Sequence, residues 1–211
     1  MNTAAEVLAE LKKKGTAQTL KTFARHGAPV DKIYGVKVAD MKVILKRIRG
    51  NQQLAMELYA TGNGDAQYLA GLAADGAQMS KKEVETWAKT ASWHMVGEYT
   101  VPWVASEHPA GRELAMKWIK SRDPELAATG WATYSSNLST HPDEELDLAE
   151  IEGLIDNVVA KVHSAPSRVA YRMNNFVITA GCCVKPLLAK AKAAARKIGV
   201  VEIDMGDTSC K

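Results

Sequence analysis

The chain repeats itself, and the repeat limits it to few folds. Leu54-Ala55-Met56-Glu57-Leu58-Tyr59 returns sixty residues later as Leu114-Ala115-Met116-Lys117-Trp118-Ile119, and Gly71-Leu72-Ala73 returns as Gly130-Trp131-Ala132. Each copy reads as helix, turn, helix. Lys81 to Ala91 and Trp93 to Ser106 form another such pair between the copies, so the underlying unit is about 30 residues long. A hairpin of that size cannot bury its apolar face alone and must stack on its neighbours. The expected fold is therefore all-α: an α-α superhelix, or solenoid, of stacked antiparallel helical hairpins. Residues 1–205 are read as one domain and 206–211 as a C-terminal tail.

Local signals agree with helices almost throughout. Apolar residues recur at three- and four-residue spacing in Val7, Leu8 and Leu11, in Met41, Ile44, Leu45 and Ile48, and in Val84, Trp87 and Ala88. Ser80 followed by Glu83 is a capping box, Asp123-Pro124 places proline at a first helical position, and Asp40 is read as the cap of a helix over Met41 to Arg49. Gly15, Gly27, Gly50, Gly62 and Gly76 fall where helices should stop. Glu144 to Val162 reads as one long helix, Arg168 to Ala180 and Lys185 to Ile198 as two more. Val200 to Asp204 is short and β-branched, consistent with either a strand or an extended tail.

Charge and cysteine content exclude several classes. No apolar run approaches the roughly 20 residues that a membrane span needs, and the N-terminus lacks the basic and then apolar segments of a secretory signal, so a cytoplasmic protein with no membrane partner is expected. Three cysteines, Cys182 and Cys183 adjacent and Cys210 apart, make a poor disulfide framework and read as thiols. No ligand spacing supports a metal. The net charge of +3 is mild, but the cations gather at helix ends and on polar faces, in Lys42, Lys46, Arg47 and Arg49, in Lys117, Lys120 and Arg122, and in Lys190, Lys192, Arg196 and Lys197. Most such runs are solvated faces. Stacked hairpins can nevertheless align them along one edge.

Tyr34-Gly35-Val36-Lys37-Val38-Ala39-Asp40-Met41-Lys42-Val43-Ile44-Leu45-Lys46 resembles the opening segment of the AlkD-like DNA alkylation repair family. Trp87 and Ser92-Trp93-His94-Met95-Val96 resemble its tryptophan-bearing helix, Pro102-Trp103 the turn that follows, and Arg172-Met173-Asn174-Asn175-Phe176-Val177-Ile178 a variant of its later part. The resemblance spans nearly the whole chain. It implies a HEAT-like solenoid that holds duplex DNA, alkylated or distorted, in a basic concave surface. It also implies hydrolysis of the glycosidic bond of N3- or N7-alkylated purines. An alkylated purine is already cationic and leaves readily, so a carboxylate near the sugar and aromatic faces near the cation suffice. No cofactor is implied, and solenoids of this size commonly act as monomers. A soluble member would associate with the nucleoid when bound to DNA.

The family pattern has Trp, three residues, Asp, and Pro four residues later, with a separate Arg on a following helix. Trp93 matches the tryptophan. Counting forward from it reaches Gly97, and counting back from Pro102 reaches Glu98, so one inserted residue separates the two counts. Glu98 and Trp93 are the catalytic candidates. The helix expected to carry the Arg has none, and Trp131 stands in that region. The DNA-binding candidates are Lys42, Lys46, His94, Trp131, Arg168 and Arg172, the two arginines being possible substitutes for the missing one. An aromatic at apolar helical spacing is more often core, which holds for Trp131 in particular. The alternative function is a noncatalytic HEAT-repeat scaffold that binds a DNA structure or a protein.

Overall fold

The computed structural model describes residues 3–204, 206 and 207; Cys210 and the expected turn residues Thr208 and Ser209 lie outside them. Among the described residues there are twelve α-helices and no strand. They group into two compact units, residues 3–108 with 206–207, and residues 109–204.

The first unit contains α1 (Ala4–Lys14), α2 (Ala17–Arg25), α3 (Val38–Ile48), α4 (Gln52–Ala60), α5 (Gly64–Ala73), α6 (Lys81–Thr90) and α7 (Val101–Glu107), with a π-helical turn, Val96–Thr100, leading into α7. Capping explains most of these boundaries. Thr3 and Glu6 close a capping box on α1, and Ser80 and Glu83 close the expected one on α6. Asn51 and Asn63 cap α4 and α5 by accepting from Leu54 and Ala66. α3 begins at Val38, three residues before the expected start, and Asp40 lies in its first turn without capping it.

The second unit contains α8 (Gly111–Ile119), α9 (Pro124–Thr140), α10 (Leu148–Lys161), α11 (Ser167–Cys183) and α12 (Leu188–Ile198). Asp123 caps α9 as expected. The helix expected from Glu144 to Val162 is shorter, because Asp143–Glu145 forms a 3-10 turn and Asp147 caps α10 afresh by accepting from Glu150 N–H. Val201 to Asp204 follows α12 without regular structure, and Asp204 N–H donates to Ser167 Oγ at 2.8 Å.

The sixty-residue echo is an echo in packing. Leu54, Ala55 and Leu58 of α4 are buried in one unit, and Leu114, Ala115 and Trp118 of α8 occupy the same register and are buried in the other. α4 pairs with α5 and α8 with α9, so each copy is one antiparallel hairpin. In the second hairpin the helices approach closely at Gly130, where a Cβ would lie 2.5 Å from Ile119 N. α6 is fixed to α4 by Tyr59, whose ring stacks on Trp87 at 3.8 Å and whose hydroxyl donates to the Trp87 carbonyl.

Charged groups in the second unit are partly consumed internally. Glu150 accepts from Arg112 Nε at 2.7 Å and from the Tyr134 hydroxyl at 2.5 Å, while Arg112 also reaches Asp147 at 3.0 Å. Burial, followed by the hydrogen bond to Glu150, pushes the Tyr134 phenol well above its ordinary pKa, so it stays a donor at any working pH. Lys190 lies between Asp156 and Glu152 at 2.8 and 3.5 Å. These pairs remove Arg112 and Lys190 from the pool of cations facing only solvent.

Candidate nucleic-acid interface

The family-like segment Tyr34-Gly35-Val36 is held from thirty residues away. Asp65, 3% exposed in the first turn of α5, accepts from the backbone N–H groups of Tyr34, Gly35 and Val36 at 2.5, 3.0 and 3.2 Å. Three consecutive N–H groups can converge on one carboxylate because Gly35 takes a positive φ of 75°. Burial pushes the Asp65 carboxyl above its ordinary range, and the three donors offset only part of that. Its oxygens are therefore committed to the segment they hold.

Beside this lock lies a cavity of about 100 Å³, walled mainly by apolar and aromatic groups, among them Phe23, Val38, Tyr68, Trp93 and Met95. Trp93 is partly exposed and packs against Phe23 at 5.7 Å and edge-on to His94 at 4.9 Å. Tyr68 meets Trp103 edge-on at 5.4 Å. Asp65 is the one charged residue among those lining the cavity.

Trp93 is joined to Glu98 by the π-helical turn. The Trp93 carbonyl accepts from Val96 and Gly97, after which Val101 N–H donates to Val96 O, a bond spanning five residues. Pro102 supplies the physical reason, since it has no N–H and its ring crowds the carbonyl four residues back. A π turn takes up one residue more than an α turn. The residue that upset the count between Trp93 and Pro102 is absorbed here, and Glu98 stays four residues before the proline on one continuous helix. Glu98 is nevertheless only 4% exposed, within a turn that packs on α5, and is not among the residues lining the cavity.

The other candidates divide by environment. Lys42 and Lys46 are exposed on α3, and His94 is half-buried beside Trp93. Trp131 is 2% exposed and packs on Phe176 at 5.2 Å in the core of its unit, so its surface is committed to packing rather than to a nucleotide. Arg168 and Arg172, one helical turn apart on α11, each place the guanidinium carbon 5.1 Å from the centre of the Tyr171 ring, an arrangement that fixes both side chains. Arg168 is half-buried and Arg172 is 7% exposed. Asp65, Phe23, Tyr68 and Tyr171 are not marked as site residues by the sequence. Only Tyr171, next to Arg172 and three residues after Arg168, carries a local signal.

Residues 7–173 match the family model described as DNA alkylation repair enzyme. The chain belongs to that family. Two similar relatives are the uncharacterized proteins Lin0241 of Listeria innocua and Lmo0209 of Listeria monocytogenes, 31% and 30% identical over 207 residues, which is 96% of this chain and 89% of each relative. A solved structure 35% identical in sequence, covering 96% of this chain and 86% of its own, superposes with a TM-score of 0.90. It belongs to a family of proteins related to the HEAT-like repeat DNA glycosylases with affinity for branched DNA structures. At that identity and TM-score this family member shares its HEAT-like repeat fold. No described helix is long and apolar enough to cross a membrane.

Proposed function

We propose that this family member binds branched or otherwise distorted duplex DNA without cleaving the glycosidic bond. The observation that carries the reading is Glu98. A carboxylate that stabilises an oxocarbenium-like sugar must stand beside it, whereas Glu98 is 4% exposed and absent from the cavity lined by Trp93. The affinity for branched DNA described for the 35% identical relative supports the same reading. Lys42, Lys46 and Arg168 contact phosphates, Arg172 braces the Tyr171 ring beside Arg168, and Trp93 with His94 offers partly exposed rings to unstacked bases.

The proposal is tested by titrating a three-way DNA junction and a linear duplex of equal length over a range of salt. The junction binds more tightly, and log K falls linearly with log salt, as release of counterions from the phosphates requires. Replacing Lys42 and Lys46 together by Gln lowers the magnitude of that slope by about 2, close to 0.9 for each phosphate no longer neutralised. A flat salt response would point to a protein partner and overturn the proposal.

A second reading, hydrolysis of N3- or N7-alkylated purines, is favoured by the π turn that keeps Glu98 four residues before Pro102 on the helix that follows Trp93. Duplex DNA carrying N7-methylguanine or N3-methyladenine decides between the two. Base release at the spontaneous rate is expected. Faster release that Glu98→Gln abolishes would establish the enzyme instead.

A further inference from the structure

We infer that the cavity beside Trp93 receives one unstacked thymine from the branch point of the DNA, with its methyl edge entering first; this rests on the DNA-binding reading. Three observations converge on that occupant. The cavity holds about 100 Å³, less than the roughly 150 Å³ that admits a whole benzene ring, so one edge of a pyrimidine enters and the rest of the ring stays outside. The walls are aromatic and aliphatic, with Phe23, Tyr68, Trp93, Val38 and Met95 among them, and the lone lining carboxylate already accepts three backbone N–H bonds. The exposed lining is almost wholly apolar, so an edge that needs hydrogen bonds would find little to pair with there.

Of the four DNA bases, only thymine carries a methyl group, on the edge away from its pairing groups. Inserted that way, its polar groups remain in water while its ring meets the aromatic faces, the mode by which proteins hold single-stranded bases. The setting suits a phosphodiester chain as well. Val38, at the cavity wall, is 38% exposed, and its neighbour Lys37 and the nearby Lys32 are both exposed cations flanking lining residues in sequence. A fully paired duplex offers no such base. A branch point does, which links the cavity to preference for a junction over a linear duplex.

The test is a set of three-way junctions identical except at one unpaired branch-point nucleotide, which is thymine, uracil or an abasic site, titrated against the full chain at fixed salt. Thymine binds about tenfold more tightly than the abasic site, within the range for stacking one base on an aromatic side chain. It binds about threefold more tightly than uracil, as expected for one buried methyl group. Val38→Trp, which fills the cavity mouth from a partly exposed position, brings the three affinities together. Equal affinities for the three junctions with the wild-type chain, in the presence of salt-sensitive binding, overturn the thymine site and leave the DNA-binding reading standing. No junction binding at any salt overturns both. A thymine preference that Val38→Trp leaves intact places the base elsewhere and overturns the site.

Discussion

Replacing Asp65 by Ala lowers the stability of the protein by about 3–5 kcal/mol, seen as a drop in apparent Tm of roughly 10 °C in thermal unfolding followed by circular dichroism. The reason is what the substitution leaves behind. Three backbone N–H groups, those of Tyr34, Gly35 and Val36, lose a common acceptor in a place where Asp65 itself is 3% exposed. Each buried donor without a partner costs about 1–3 kcal/mol. Removing the charge returns something, because burial holds the carboxyl above its ordinary pKa and the ionised form is therefore a partial cost. A raised carboxyl binds its proton more readily in the folded state, so this group favours folding most below its unfolded pKa. That contribution is lost as pH rises through the folded pKa. The margin of wild type over Asp65→Ala is therefore smaller at neutral pH than in acid, the opposite of what a salt-bridged aspartate would give. Asp65→Asn is also destabilising, since its amide N–H₂ faces donors where an acceptor is needed. A Tm for Asp65→Ala within about 2 °C of wild type, no more than the shift expected for about 1 kcal/mol in a chain of this length, would show that Tyr34 to Val36 is held by other contacts.

The same substitution acts on the candidate interface. Val36 and Val38 line the cavity, and the stretch between Tyr34 and the start of α3 keeps its course because Asp65 grips it from α5. Gly15 and Gly35 complete the arrangement from the other side. A Cβ on Gly15 would lie 2.2 Å from the Tyr34 carbonyl oxygen, and one on Gly35 would lie 2.7 Å from Leu20 N. The segment that carries the family resemblance in sequence is therefore first a joint of the fold, and only through that joint a part of the site.

What could be read from the sequence was whatever is local. The repeat of Leu54 to Tyr59 at Leu114 to Ile119 translated into hairpins with the same buried register because helical periodicity is a short-range property. The Ser80 box and the Asp123 cap are contained within four residues and appear as expected. Long-range capture left no such mark. Asp65 has the look of an ordinary first-turn acid on α5, and nothing near it announces that its acceptors serve residues 34–36. The early start of α3 at Val38 has no side-chain cap to signal it. For the candidate site, Trp93 lines the cavity but Glu98 does not, since a count of residues gives position along a helix and says little of what packs over it. Trp131 shows the same limit in reverse: its place on α9 was legible, and its burial against Phe176 depended on a helix further along the chain.

In the π turn, a second substitution should repair the damage done by a first. A Cβ on Gly71 of α5 would lie 2.2 Å from Thr100 Cγ2, and Thr100 is fully buried at the end of the π turn. Gly71→Ala gains about 1 kcal/mol in helix propensity, yet it forces a methyl into an occupied site, and overpacking of that kind costs about 1–3 kcal/mol. The net expectation is a loss of stability of up to about 2 kcal/mol. Thr100→Ala alone removes the obstructing methyl together with an Oγ1 that has no hydrogen-bonding partner among the described protein groups. Loss of the buried methyl and relief of the unsatisfied hydroxyl nearly cancel, leaving a change of about 1 kcal/mol or less. In the double variant the methyl introduced at position 71 occupies the space that the threonine methyl vacates. The remaining approach, 3.3 Å to the Cβ of residue 100, needs only a slight adjustment of the two backbones. Urea denaturation of the four proteins should therefore give a coupling energy of about 1–2 kcal/mol in favour of the pair, as neighbours sharing one site require. Additive effects would mean that α5 and the π turn are not in contact at Gly71. Junction binding measured on the same set adds a functional reading, because Gly71→Ala displaces the π turn that follows Trp93 and carries Glu98. Affinity should fall in the single Gly71→Ala variant and return in the double, following the packing rather than the identity of either residue.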